Sequence, residues 1–497
     1  MMKRYLLFGL LTGIVLWQSA SGQYVLRKAP PEDRSSTPIW SSMPIYGANQ
    51  RLSHTSPYEG PTIPQVRWVA SGGAINEPTH LSGRVIAPQM SIFGRVRFPR
   101  YVLFDVQSGL FRGSLGPFWG QLSPLTIFNT AVYVFDRNDV LVQVVPDWPV
   151  FIMAGGQYEA RVISPSPVFG VPPLDVTLRG VPAYRSGFGV YTDGLMGNAV
   201  LGDNFGNLFG VAVYWVLSNR YTGPYIGVDF SFTPWPPISS AVLSSAVFNE
   251  HNDSGLAGYH NGIIIGYNTF NIPQPGPSFM TSVMELSQDD RIDPNDPSSA
   301  PDPLPSDDSV DRPIVFNADN TIAYVCASNY GRIYALGALG GSRLWGVKLD
   351  PSRPIPIMGG PSLGRDSLGN EVLYVIGRSG SNQSTLYALN AQTGDLLWSR
   401  ALPNVSRCTP TVDVRGRLYF GDERGFLYCY DSDGNQIWRL AFGAPINVSP
   451  VLMSIPNGPT VLVVAVSNRY LICIQQQQRV PPSPGPIGAG QVGGGAQ

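Results

Sequence analysis

The chain is poor in charge. Only 13% of its 497 residues are Asp, Glu, Lys or Arg, against roughly 25% in an ordinary soluble domain. Lysine is nearly missing, with Lys3, Lys28 and Lys348 the whole set. At a net charge of −1 there is no basic field to draw in nucleic acid or an anionic membrane surface, which argues against both partners. Cysteine is scarce as well. Cys326, Cys408, Cys429 and Cys473 stand alone, with no C-x-x-C and no adjacent pair. Ribbon-type zinc sites, c-type haem attachment and thioredoxin-like chemistry therefore have no support. Histidine occurs at His54, His80, His251 and His260, without H-E-x-x-H. His251 and His260, with Glu250 and Asp253 nearby, form the densest set of metal-ligating types, and plain turn residues are the simpler reading. Gly72-Gly73 and Gly359-Gly360 lack the Lys-Ser/Thr of a phosphate loop, and no G-x-S-x-G elbow occurs. Neither catalytic, cofactor-binding nor metal residues are assigned.

Glycine and proline are plentiful, at 55 and 46 residues, and 43% of the chain is hydrophobic. That mixture provides a core and many turns, which fits short strands rather than helices. At the start, Lys3 and Arg4 precede an apolar run from Tyr5 to Trp17, and Ala20-Ser21-Gly22 supplies small residues for cleavage. Residues 1–22 are thus expected to be a signal peptide that exports the chain to a periplasm or beyond. No later stretch of 18 consecutive apolar residues predicts a membrane span.

An internal repeat sets the fold. Ile333-Tyr-Ala-Leu-Gly-Ala-Leu-Gly-Gly-Ser-Arg-Leu-Trp345, Leu386-Tyr-Ala-Leu-Asn-Ala-Gln-Thr-Gly-Asp-Leu-Leu-Trp398 and Leu427-Tyr-Cys-Tyr-Asp-Ser-Asp-Gly-Asn-Gln-Ile-Trp438 superpose. Each reads as strand, turn, then a strand reaching a Trp. Tyr324-Val-Cys, Tyr374-Val-Ile and Tyr419-Phe-Gly are the matching upstream strands. Four strands in about 40–50 residues is the size of a propeller blade. Ala335 and Ala388, with Cys429 and Cys473 in the same slot, are predicted to face a crowded neighbour that admits only small side chains. Gly394 and Gly434 supply positive φ in tight turns. Trp345, Trp398 and Trp438 fill the wedge between units. Weaker copies run through the N-terminal half: Val102 to Gly109 matches with Gly113 in the Trp position, and Ser123-Pro124-Leu125 followed by Ala131 to Phe135 reads as the next unit. Units are placed near 80–115, 122–155, 185–230, 238–285, 314–350, 355–400, 406–440 and 447–475. That makes eight, with seven as the alternative.

The last unit, Leu471-Ile-Cys-Ile, stops before its Trp, while Gln65-Val-Arg-Trp68 is a Trp strand without a first half. The N-terminal strand is therefore expected to pair with the last unit and close the ring, removing an open sheet edge. Residues 23–60 read as a lead-in, 61–475 as the propeller and 476–497 as a disordered Gln/Pro/Gly-rich tail. Residues 287–313 hold eight Asp and six Pro and are expected to be an extended, solvated insertion, with a weak calcium site as the alternative. Asp431-x-Asp433-Gly434 looks like the opening of a calcium loop but falls on the repeat's turn. All four cysteines are expected to be buried thiols.

These units resemble the pyrroloquinoline-quinone-like (PQQ-like) repeat of bacterial β-propellers, most closely in Leu386 to Trp398. Tyr46 to Pro61 also looks like the lead-in of such exported repeats. The resemblance implies a ring of four-stranded blades and two functional classes: quinone- and calcium-dependent dehydrogenases, and binding scaffolds that include BamB-like assembly factors. The Cys-Cys pair of methanol-oxidising relatives and the C-x-x-C-H of haem-carrying ones are missing here. The non-catalytic scaffold branch, monomeric and without cofactor, is the favoured reading, binding an unidentified protein in the cell envelope. A lipid-anchoring cysteine is missing near the cleavage region, which departs from the BamB pattern. A surface propeller that binds glycans or small ligands is the alternative, with Trp119, Trp148, Trp215 and Trp235 as possible stacking plates.

Overall fold

The computed structural model describes residues 53–81, 84–93, 96–115, 206–217, 254–268, 277–292, 296–455, 458–467 and 469–477, with Ser240, Val242 and the further strands named below between 126 and 249. Signal-peptide and tail expectations for 1–52 and 478–497 lie outside these residues, as do Glu250, His251 and Asp253.

Alternation of apolar residues with turn formers makes strands almost throughout, and the strands among the described residues form eight sheets. Five are simple antiparallel meanders of four strands. They run Thr79–Leu81 to Phe111–Leu115, Val247–Asn249 to Pro277–Ser282, Val315–Phe316 to Arg343–Lys348, Ile357–Arg365 to Leu396–Leu402, and Thr411–Val412 to Gln436–Ala441. The first strand of each sheet lies innermost. Val247–Asn249 touches Val315–Phe316, which touches Ile357–Arg365, which touches Thr411–Val412. Neighbouring sheets share apolar cores that run on from one unit to the next. Tyr324 and Ala335 pack with Leu373 and Leu389, Tyr374 and Ala388 with Leu418 and Leu427, and Val451 and Val463 with Val85 and Val102. The architecture is a β-propeller.

The last unit holds Val451–Ser454, Thr460–Val466 and Tyr470–Gln476, and its fourth strand is Pro64–Ser71 from the other end of the chain. Trp68 stands opposite Cys473. Trp345 stands opposite Ala335, Trp398 opposite Ala388 and Trp438 opposite Cys429. The closing strand therefore occupies the same register as every other Trp strand, as the truncated repeat required. Gln476, expected to begin the tail, instead ends the last strand, and its Oε1 accepts from Thr62 N at 2.7 Å.

Two expectations need correction. The stretch 122–155 is not one unit. Thr126–Asn129 pairs with Val150–Gly155, which continues to Glu159–Ser164 and Leu174–Arg179. The hairpin Val132–Phe135 and Leu141–Val145 leaves that sheet and pairs in parallel with Leu208–Leu217, in a six-stranded sheet that also holds Gly189–Thr192, Gly197–Gly202 and Thr222–Phe232. An alternating pattern specifies a strand and its faces, not which neighbour it pairs with. The second correction concerns 287–313, whose described residues are solvated in part, as expected, but anchored at several points. Ser287, Leu304, Asp308 and Val310 are buried, and Asp290 and Asp302 pair with Arg332, Arg343 and Lys348. Eight aspartates read as a solvated run, but the unit it joins supplies the cations that hold two of them.

Candidate functional site

Each Trp strand begins just after the turn that joins the third and fourth strands of its unit. The indole crosses to the equivalent turn of the next unit. Trp345 Nε1 donates to Ala391 O at 3.3 Å, Trp398 Nε1 to Ser432 O at 2.9 Å, and Trp68 Nε1 to Val106 O at 2.9 Å. These three carbonyls belong to the same repeat position. The rings then lie on Gly394, Gly434 and Gly109, whose φ values of 81°, 80° and 71° no β-carbon tolerates easily. A Cβ on Gly394 would stand 2.7 Å from Trp345. Ala335 and Ala388 are buried beneath the plates, each Trp tilted against Tyr324 or Tyr374 about one ring away. In the first unit Leu103 occupies the Ala slot and Gly113 the Trp slot opposite it, exchanging large for small across the pair.

Where Trp438 would meet a third-to-fourth-strand turn, the ring closes and no such turn exists. Pro61 supplies the carbonyl instead, at 2.9 Å. Residues 53–60, the described end of the stretch read as a lead-in, bond to the ring. Thr55 pairs in parallel with Val412. Val412 N donates to His54 O, Ser56 N to Val412 O, and Leu363 N to Ser53 O. His54 Nδ1 also lies 3.6 Å from Glu77 Oε1, both side chains buried. A segment bonded to the inner strands of two units and touching a third, two units further round, must cross the middle of the ring. Burial pushes the His54 imidazole down to about 3.

From the middle the segment runs out over one face and is locked there. Asp413 Oδ2 accepts from Gly60 N at 3.0 Å, Arg417 Nε at 2.8 Å and the Tyr419 hydroxyl at 3.1 Å. Arg417 also donates to Gly60 O and to Glu59 Oε1.

The turns on this face share a construction. In an antiparallel meander the first-to-second and third-to-fourth strand turns fall on the same side. Each of several opens with an Asx residue whose carboxyl or amide oxygen gathers following backbone N–H groups, which stiffens the loop. Asp366 accepts from Leu368 N and Asn370 N, Asn390 from Gln392 N and Thr393 N, and Asp105 from Gln107 N and Ser108 N. Asp431 accepts from Asp433 N and Asn435 N, so the calcium-loop look-alike is a turn brace. Apolar residues are exposed on this side in five consecutive units: Leu339, Leu368, Val414 and Leu110 in turns, and Ile63 where the closing segment enters its strand. Leu368 is 85% exposed. The opposite-face loops 379–382 and 423–424 carry Ser, Gly, Asn, Glu and Arg.

Repeat positions were legible in sequence; the turn-tip residues were not, because each unit places a different apolar residue there. Trp119, Trp148 and Trp235 lie outside the described residues, and Trp215 falls in the strand Leu208–Leu217. His260 Nδ1 meets Asp311 at 3.0 Å on the surface. All four cysteines are buried free thiols.

Residues 329–414 and 384–477 match the family described as outer membrane protein assembly factor BamB. That match spans 329–477, and over the longer chain the likeness is one of fold, the β-propeller. Solved structures with this fold include the quinohemoprotein alcohol dehydrogenase of Comamonas testosteroni, 11% identical over 94% of this chain and 85% of that one, with a TM-score of 0.56. A europium-containing methanol dehydrogenase is 9% identical over 89% and 99%, at 0.57. Sqt1 of Saccharomyces cerevisiae is 11% identical over 85% and 98%, at 0.52. No curated protein matches the sequence significantly. At these identities the likeness speaks for the fold and leaves activity open. A quinone held by a cation needs several converging oxygen or nitrogen ligands. Among the described residues no three of His, Cys, Asp and Glu converge in that way, and 53–56 cross the middle of the ring.

Proposed function

We propose that this propeller is a non-catalytic scaffold of the cell envelope that holds a partner protein against its Asx-braced turn face. The observation that carries the reading is the run of exposed apolar residues, Leu339, Leu368, Val414, Ile63 and Leu110, displayed on one face by five consecutive units. Apolar side chains held on stiff turns lose little entropy on docking, so their burial contributes to affinity. The match to an assembly-factor family supports the same class. The basic and apolar opening of the chain supports export, and no helix among the described residues is long and apolar enough to cross a membrane.

A photo-crosslinker placed at Leu368 or at Ser381, on opposite faces, tests this in native envelopes. A discrete protein adduct is expected from position 368 and none from 381. The variant Leu368→Asp/Val414→Asp should keep its thermal midpoint and lose co-purification of that protein by at least about tenfold, the equivalent of about 1.4 kcal/mol. Equal adducts from both faces, or unchanged capture by the variant, would refute the assignment.

A further inference from the structure

Along its outer strand, Arg343–Lys348, the unit carrying Trp345 differs from its sisters in a way the fold does not require. Arg332, Arg343 and Lys348 stand where the next two units have Thr385 and Phe426, Leu396 and Gln436, Ala401 and Ala441. Together with Arg291 they line a cavity of about 210 Å³. Residues 289–292 form its other wall. Asp290 accepts from Arg332, Arg343 and the Tyr334 hydroxyl, at 2.5, 2.6 and 2.7 Å. Asp302 accepts from Arg332 and from Lys348, the latter at 3.1 Å. Gly346 makes the room: a Cβ there would lie 2.6 Å from the Arg343 guanidinium and 2.8 Å from the Tyr334 ring.

We propose that this cavity binds a small oxyanion, a phosphate, sulfate or carboxylate group. Four cations face three carboxylates, counting Asp289, so the site keeps a surplus positive charge. Asp290 and Asp302 between them pair Arg332, Arg343 and Lys348, so Arg291 is the cation that a latch for the insertion would not need. Donors also remain. The Arg332 side chain is only 4% exposed, yet its Nε meets no acceptor, and an unmet buried donor calls for an occupant such as water or an ion. Lys348 carries three N–H donors, and Asp302 takes one. Arg291 makes its described hydrogen bond to the Asp290 carbonyl, which leaves guanidinium donors for a planar or tetrahedral oxyanion. The cavity is large enough for an anion borne on a compact organic group, which makes a free ion and a lipid headgroup the two sources to distinguish.

Equilibrium dialysis of the full chain against radiolabelled inorganic phosphate, at constant ionic strength in chloride, reads the site directly. One saturable equivalent is expected, displaced by sulfate. Lys348→Met and Arg291→Gln leave the Arg332–Asp290 contact in place, so both should fold with unchanged circular dichroism and bind about tenfold more weakly each. Flotation with phosphatidylglycerol vesicles forms a second arm. Uptake of phosphate alone assigns the site to a free anion, and flotation that Lys348→Met abolishes assigns it to a headgroup. Failure of both, or binding that the folded variants retain in full, would overturn the proposal.

Discussion

Replacing Asp413 by alanine removes an acceptor on which five donors converge. Arg415 N and Arg417 N share Oδ1, and Gly60 N, Arg417 Nε and the Tyr419 hydroxyl share Oδ2. The carboxylate is fully buried and the Arg417 side chain is 8% exposed. Removing one member of a buried ion pair leaves the other uncompensated and destabilises by about 3–5 kcal/mol. Glu59 is 52% exposed, so its remaining pairing with Arg417 is weak in water and offsets little. Urea unfolding of Asp413→Ala should therefore show a loss of about 3–5 kcal/mol. The damage should also be local at first. Gly60 is tied to Asp413, and Pro61 carries the Trp438 contact, so loosening this turn frees the segment that leads into the closing strand. Limited proteolysis near 57–63 should accelerate before the rest of the ring opens. Arg417→Met in the Asp413→Ala background should recover part of the loss, because no charge is then stranded. A loss under about 1 kcal/mol, or strict additivity in the double variant, would refute the claim that a buried pair locks the ring closure.

Gly394→Ala forces a β-carbon at φ 81° and against Trp345, so it should destabilise by at least about 1–2 kcal/mol in denaturant titration; a neutral result would mean the plate does not bear on that turn. The buried His54 is neutral in the fold, held down to about 3 from 6.5, whereas the unfolded chain takes up its proton below pH 6.5. The unfolded state then binds more protons, and stability falls as pH drops from 6.5 toward 3, by about 2 kcal/mol at pH 5. His54→Asn, an exchange that φ 54° tolerates, should flatten the stability difference between pH 7 and pH 5 by that amount, and an unchanged slope would exclude His54 as its source. Burial pushes all four thiols up to about 12, so a thiol reagent at pH 8 should label none until the protein is unfolded. Rapid labelling of the native chain would contradict the packing of Cys429 and Cys473 beneath their tryptophans.

The repeat made the ring readable because its physical demands recur. A small residue beneath the Trp plate, a glycine at positive φ and a Trp strand recur together where one unit docks on the next, so Ala335 and Ala388, and Gly394 and Gly434, stand at constant offsets from the tryptophans of their own units. The closure followed from the same logic, since Trp68 was a fourth strand lacking three others. The hairpin 132–145 was not readable, because strand propensity does not encode the partner sheet. Nor was the anchoring of the insertion: Asp290 and Asp302 are held by Arg332, Arg343 and Lys348, which are far away in sequence and unremarkable one at a time. The crossing of the ring by 53–56 left no signal, for its bonds are made by backbone groups that any residue carries.

The bonds that join the units use the first residue of each turn and its glycine, through the carbonyls of Val106, Ala391 and Ser432 and the faces of Gly109, Gly394 and Gly434. The Asx brace uses the residue before them. Nothing in that scheme constrains the exposed tips, nor positions 332, 343 and 348, which lie outside the Ala–Trp pair. A propeller built this way can change what it displays without disturbing how it holds together. Positions at which sister units disagree are then where binding chemistry is expected. Leu368 on the turn face, and the Arg343 and Lys348 pair that replaces Leu396 and Ala401 along the outer strand, are such disagreements. Exchanging them between units, Arg343→Leu with Lys348→Ala, should remove two of the cavity's four cations while leaving Trp345 seated on Gly394. The indole fluorescence of the folded ring should not change, and a shift in it would show that the two layers are mechanically coupled after all.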